Sequence, residues 1–222
     1  MYPGVGLFAH LAQQEWQRLC DAGIPVHFPP RAVLLRQGDP TEHVHLIVAG
    51  CVKATRCEPD GSQALLTIRS AGDVVGDMAA VDRRPRSATV SALTDVVTHL
   101  LSGEQFRRFL AIPPVATGFA TYTVGRLREA DLQRAEMAVL PVRRRLARTL
   151  LRLDREARHL PGRPPVRLPQ WELAELIGAS RNAVVAELTV LRDQGVVVTR
   201  RREIAIADER RLAAIAADLG TD

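Results

Sequence analysis

Residues 168–208, LPQWELAELIGASRNAVVAELTVLRDQGVVVTRRREIAIAD, leave little freedom in how they fold. Gln170–Ile177 reads as a short helix, Gly178-Ala179-Ser180 as a turn and Arg181–Gln194 as a second helix. Glycine enters the left-handed conformation that ends a helix without a steric penalty, which suits Gly178. A serine hydroxyl accepts from the exposed amides at a helix start, which suits Ser180. Ala174, Ile177, Val184 and Leu188 fall where two steeply crossing helices would pack, with Val185 and Leu191 on the adjoining flank. Beyond Gly195, VVVT and EIAIA read as hairpin strands around Arg200, Arg201 and Arg202. The outcome is a helix pair followed by a wing with a basic tip. A helix pair joined by a small-residue turn can be purely structural, but the basic tip directs this one toward a polyanion.

The charge distribution points the same way. Residues 1–140 hold 14 Lys+Arg and 14 Asp+Glu, whereas residues 141–222 hold 16 and 11, so the net charge of +5 lies in the last third. Lys and Arg contacts to phosphate release counterions, and a basic module on a neutral one therefore fits double-stranded DNA. With 222 residues, 46% of them hydrophobic, the chain can build one large domain or two small ones. No apolar run approaches the length of a membrane span, and MYPGVGLFAH lacks the basic-then-apolar pattern of a signal peptide. A cytoplasmic protein without a membrane partner is expected. Cys20, Cys51 and Cys57 are an odd set without close pairs and read as reduced thiols. His43 and His45 share one face of a strand, and two core or surface imidazoles are expected there rather than a metal site.

Upstream, a short helix over Gln13–Ala22 precedes brief β segments through residues 24–100, among them HVHLIVAG, CVKATRCE and QALLTIRSAGD. QGDP at 37–40 and PDG at 59–61 read as turns, and Gly38, Gly50, Gly61, Gly72 and Gly76 stand at the corners. Short strands at this spacing predict a sandwich or barrel. From Ser102 the pattern turns helical, with Ser102 and Gln105 forming an approximate capping box. Pro113 and Pro114 open a long helix to about Val139. Its Val115, Phe119, Tyr122, Ala130, Met137 and Leu140 form a stripe that either packs on the chain's own domain or makes a two-fold seam. Pro141 marks a hinge before a helix over Val142–Arg158, and LPGRPPVRLP at 160–169 is a proline-rich connector. The expected architecture is α+β: a jelly-roll-like β-roll of cyclic-nucleotide-binding type (1–112), a dimerisation helix and hinge (113–140) and a winged helix-turn-helix (141–222).

IGASRNAV in the C-terminal segment resembles the IGxSRxxV-like turn and helix start of the Crp/Fnr family, the cyclic-AMP receptor protein type. QGD, the spaced glycines and GDVVGDMAAVDRRPRSATV are similar to that family's β-roll and its phosphate-binding cassette. The likeness spans about residues 8–210 with the parts in the same order. It implies a bacterial, homodimeric transcription regulator that binds a palindromic operator in double-stranded DNA and works with RNA polymerase. It also implies a cyclic-nucleotide effector, with cyclic AMP leading. Arg86 would fork onto the cyclic phosphate, Ser87 would add a hydroxyl or amide, Gly76 would let the backbone approach, and Asp77 would accept from the ribose 2′-hydroxyl. Leu66, Thr67 and Val75 would line the pocket, Arg126 would reach it from the long helix, and Ala130-Asp131 would face the base.

Two positions depart from the cyclic-AMP pattern. Asp77 replaces a glutamate, and Ala130-Asp131 replaces a Thr-Ser or Thr-Asn pair that bonds adenine, so weak base selectivity and weak coupling to DNA are expected. On the DNA side Arg181 would bond guanine, Asn182 favours adenine and Ala186 offers a methyl contact. Gln170, Ser180, Thr199 and Arg200–Arg202 would meet phosphates. The alternatives are a constitutive DNA binder with a ligand-free β-roll, a regulator answering cyclic di-GMP, and, more distantly, a cyclic-nucleotide module of an enzyme or channel. Asp77, Arg86 and Ser87 suit holding a phosphate and offer no positioned base, so no catalytic activity is expected.

Overall fold

The computed structural model describes residues 6–158, 168–200 and 203–217. The chain divides into two compact units, Met1–Leu127 and Arg128–Asp222. The first contains a 3-10 turn (Leu7–His10), α1 (Gln13–Ala22), β1 (Ile24–Phe28), β2 (Val33–Leu35), β3 (Val44–Ala49), β4 (Cys51–Cys57), β5 (Gln63–Ser70), β6 (Val74–Val75), α2 (Asp77–Asp82), β7 (Thr89–Ala92), β8 (Val96–Leu101) and α3 (Gly103–Leu110). The helix α4 (Pro113–Val139) begins in this unit and ends in the second.

The strands form two four-stranded sheets, ordered β1-β8-β3-β6 and β2-β7-β4-β5. Side chains alternate across a strand, and β3 uses both of its faces. Val44 and Leu46 pack beneath the helices with Trp16, Leu19, Phe106 and Tyr122. Ile47 points the other way, into a cluster with Leu35, Val52, Val75, Val90 and Val96 from both sheets. Tight corners make this roll possible. At Gly50 φ is +84° and an added Cβ would lie 2.1 Å from Asp95 O, so no side chain fits. Ser102 caps α3 as its sequence suggests: its Oγ accepts from the Gln105 amide at 3.1 Å, and Gln105 Oε1 accepts from the Ser102 amide at 2.8 Å.

The long helix corrects part of the expected seam. Val115 and Tyr122 are buried and Phe119 packs on the same cluster, so these three face their own domain. The exposed apolar side chains of α4 include Val124 (48% exposed), on the side opposite these three, and Leu127, Leu132 and Val139. Tyr122 Oη donates to Asp73 Oδ1 at 2.9 Å, and the Ser70 amide donates to Oδ2 of the same carboxylate at 3.2 Å. Burial raises the pKa of Asp73 and also that of Tyr122.

The second unit holds the end of α4, α5 (Val142–Arg158), α6 (Gln170–Leu176), α7 (Arg181–Asp193), β9 (Val197–Arg200), β10 (Glu203–Ile206) and α8 (Glu209–Ala217). Pro141 lacks an amide and stands between α4 and α5. Across that break the buried Glu136 carboxylate accepts from Arg148 at 3.1 Å and Arg152 at 2.9 Å. The helix α8 has no counterpart in the sequence reading. Its last carbonyls, Ala216 O and Ala217 O, accept from Arg148 and Arg144 of α5 at 3.0 and 3.1 Å, a favourable placement of cations at a helix C-terminus. Most of the connector at 160–169 lies outside the described residues; its last members, Leu168 and Pro169, lead into α6, with Leu168 buried.

Candidate functional site

The cleft of the first unit is built around a backbone turn that only glycine tolerates. Gly76 joins β6 to α2 with φ +87°, and a Cβ there would meet Arg86 Nη1 at 2.7 Å and His43 O at 2.8 Å. The missing side chain lets the Arg86 guanidinium lie against the main chain. Its Nη1 donates to Gly76 O at 2.9 Å, its Nη2 to His43 O, and its Nε to Thr41 Oγ1 at 3.3 Å. All three partners are neutral oxygens. Burial accordingly lowers the Arg86 pKa, with Asp39, Asp77 and Glu42 opposing the shift. The result is a desolvated cation on the wall of a cleft, which suits an anion.

Seven of the ten residues expected at the ligand site line this one cleft: Thr67, Val75, Gly76, Asp77, Arg86, Ser87 and Arg126. Three do not. Leu66 is 44% exposed and is the extra residue of a bulge in β5, where the register with β4 shifts between the pairs Thr55–Leu65 and Ala54–Thr67. Ala130 and Asp131 are absent from the lining, and Asp131 Oδ1 accepts from Arg134 on its own helix at 2.7 Å. The sequence reading in turn missed Arg69, Leu35, Ala54 and Val90, which also line the cleft. Strand alternation counted from Thr67 would have found Arg69.

Arg126 approaches from α4 and donates to Asp77 Oδ2 at 2.8 Å, with its guanidinium carbon 5.3 Å from the Tyr122 ring centre. Burial works to lower the Arg126 pKa, but Asp77, Tyr122 and Asp73 outweigh it and the net shift is upward. Across the cleft wall, His45 Nδ1 lies 2.9 Å from Thr98 Oγ1. Burial, together with His43 and Arg86, pushes its pKa down to about 4, so it is neutral at pH 7.

In the second unit the α6–α7 pair packs through Ala174, Ile177, Val184, Leu188 and Leu191, all buried. Gly178 has φ +60°, and Ser180 Oγ accepts from the Ala183 amide at 3.2 Å. The outer face of α7 presents Arg181, Asn182, Val185 and Ala186 to solvent. Val185, expected on the packing flank, thus stands among the outward residues, because it lies one helical turn from Arg181. Ser180 and Arg200 are exposed, and Gln170 and Thr199 are half-buried. The hairpin pairs Arg200 with Glu203; Arg201 and Arg202, expected at its tip, lie outside the described residues. Several arginines of α5 are engaged within the unit instead. Arg143 pairs with Glu187 at 2.7 Å, Arg145 donates to Met137 O at 3.1 Å, and Arg148 and Arg152 clasp Glu136.

A β sandwich with a cationic cleft, joined to a winged helix-turn-helix, defines a DNA-binding transcription regulator with a ligand-type sensor domain. Comparison with known proteins gives the family. Residues 25–112 match the cyclic nucleotide-binding domain and residues 144–215 the Crp-like helix-turn-helix domain. The chain is 30% identical over 193 residues to the CRP-like cAMP-activated global transcriptional regulator of Mycobacterium tuberculosis, covering 85% of this chain and 86% of that protein. It is also 30% identical over 220 residues to the cyclic AMP receptor protein of Thermus thermophilus, covering 93% and 96%. The fold is shared with the solved structure of the c-di-GMP responsive global regulator CLP of Xanthomonas campestris, at a TM-score of 0.73 and 22% identity over 88% of this chain and 99% of that one. The chain belongs to the Crp family of transcription regulators. Among the described residues no helix is long and apolar enough to cross a membrane.

Proposed function

We propose that this regulator acts as a homodimer on a two-fold symmetric DNA site and takes a cyclic nucleotide in the cleft of its β-roll. The observation that carries the ligand half is the buried guanidinium of Arg86, held by Gly76 O, His43 O and Thr41 at the cleft wall. A guanidinium has five N–H donors, and three such bonds leave capacity for a phosphate oxygen. Ser87 lines the cleft beside it. Asp77 gives Oδ2 to Arg126, and its Oδ1 is the acceptor for a ribose 2′-hydroxyl. The curated relatives named above are cyclic-AMP proteins, which makes cyclic AMP the first effector to test.

For the DNA half, Arg181 and Asn182 begin the exposed face of α7, where Arg bonds guanine O6 and N7 and Asn bonds adenine N6 and N7. Ala186 and Val185 add apolar contacts suited to a thymine methyl. Gln170, Ser180, Thr199 and Arg200–Arg202 serve phosphates, which set position rather than sequence. The exposed Val124 and Leu127 of α4 supply the apolar part of the dimer seam. RNA polymerase is the partner expected at a promoter.

The same bonds that orient Arg86 also support a second reading, in which it is a structural clamp and the β-roll a scaffold for constitutive DNA binding. Calorimetric titration with cyclic AMP, cyclic GMP and cyclic di-GMP separates the two. The proposal expects binding that is lost in Arg86→Ala and weakened in Ser87→Ala, whose exposed side chain is dispensable for folding. No heat with any of them favours the scaffold.

A further inference from the structure

Three guanidinium groups, from Arg69, Arg86 and Arg126, line the cleft, and Asp77 is the one carboxylate among its described lining residues. Arg86 has a place in the phosphate cradle and Arg126 is engaged with Asp77. Arg69 has no part in either. Its position along the cleft follows from its neighbours. Tyr122 Oη donates to Asp73 Oδ1, and the amide of Ser70, the residue after Arg69, donates to Oδ2. Arg126 lies over the Tyr122 ring and donates to Asp77, which follows Gly76, whose carbonyl accepts from Arg86. This chain of contacts sets Asp77 between the Arg86 and Arg69 ends of the cleft, so a nucleotide with its phosphate on Arg86 and its ribose on Asp77 has room to turn its base toward Arg69. The walls there come from β4 and β5, where Ala54 pairs with Thr67 and Val52 with Arg69.

We infer that Arg69 reads the base of the bound nucleotide and makes the cleft prefer guanine to adenine. This rests on the cyclic-nucleotide reading of the cleft and names its ligand more closely. Guanine presents O6 and N7 side by side, two acceptors that match two parallel guanidinium donors. Adenine presents N7 beside the N6 amino group, which is itself a donor and would face Arg69 unpaired. The other polar group on this wall does not reverse the bias, because Thr67 Oγ1 donates to Ile68 O at 3.2 Å. Arg69 Nη1 lies 3.5 Å from Ile68 O, and five donors let a guanidinium keep its protein contacts while bonding a base.

Calorimetric titration of the full chain with cyclic GMP and cyclic AMP, and with cyclic di-GMP and cyclic di-AMP, tests this. The expected result is a preference of about tenfold or more for the guanine member of whichever pair binds. Arg69→Gln should shift that ratio toward adenine, because a glutamine amide pairs with adenine N6 and N7. A merely structural role for Arg69 would weaken both ligands together and leave the ratio unchanged. If nucleotides bind wild-type protein without a guanine preference, or the preference survives Arg69→Gln, the inference is overturned and the cyclic-nucleotide reading stands. If none of the four binds wild-type protein, both are overturned.

Discussion

The cleft and the helix α7 both present arginine, in opposite states. Arg86 is buried, bonded to three protein oxygens and fixed before any ligand arrives. Arg181 is exposed at the first position of α7, on a helix whose inward face is fully packed. A buried cation contributes to the fold and the site together, so changing it disturbs both. An exposed one adds little to the fold, and its loss leaves the scaffold intact. The helix α5 shows that this contrast is not simply N-terminal against C-terminal. Its arginines lie in the basic third of the chain, yet Arg143 bonds Glu187, Arg144 bonds Ala217 O, Arg145 bonds Met137 O, Arg148 bonds Glu136 and Ala216 O, and Arg152 bonds Glu136.

The largest effect should come from removing the fixed arginine. Arg86→Ala removes three hydrogen bonds made by a buried guanidinium and should cost roughly 2–4 kcal/mol in chemical denaturation, whereas Arg181→Ala should stay within about 0.5 kcal/mol. Equal costs would erase the distinction between the two regions.

A pH experiment probes the interior of the β-roll beside Arg86. His45 has a folded pKa of about 4 against an ordinary 6.5. The unfolded chain therefore binds a proton that the folded one refuses, and stability falls as pH drops from about 6.5 toward 4. The loss should be about 2 kcal/mol at pH 4.5. His45→Gln can keep the contact to Thr98 without titrating, and its melting temperature should fall less than the wild-type value between pH 7 and 4.5. Parallel losses in the two proteins would assign the acid sensitivity to other groups.

On the DNA side the effects should be confined to binding. Arg181→Ala should lower discrimination at one base pair by roughly 1–3 kcal/mol. Smallest of all, Arg200→Gln should weaken specific and random duplexes alike and reduce the salt slope of binding by about one. If Arg200→Gln altered sequence preference instead, the wing would be a reader of bases.

Much of the fold was legible because proline, glycine and serine punctuate it. Pro113, Pro141 and Ser102 mark helix boundaries found at those positions, and Ser180 caps the helix it precedes. Periodicity was less informative where both faces of an element meet something. Val115, Phe119 and Tyr122 recur with the spacing of a seam, but the same spacing serves a helix lying on its own domain. Leu66 reads as pocket lining because it is apolar, yet it falls at a bulge of β5 and is exposed, while the charged Arg69 lines the cleft. Val185 was misplaced for the converse reason, an apolar residue on the outward face of a short helix. Charge counts located the basic third without showing which arginines remain available, since Arg143, Arg144, Arg145, Arg148 and Arg152 of α5 bond protein oxygens.

Selection of random duplexes by the immobilised protein, followed by sequencing, tests the account most directly. It should enrich a two-fold symmetric sequence whose half-sites are centred about 34–36 Å apart, one helical turn, and Arg181→Ala should lose preference at a single symmetric pair of positions. Enrichment of an asymmetric sequence, or of none, would contradict a dimeric regulator that reads DNA through α7.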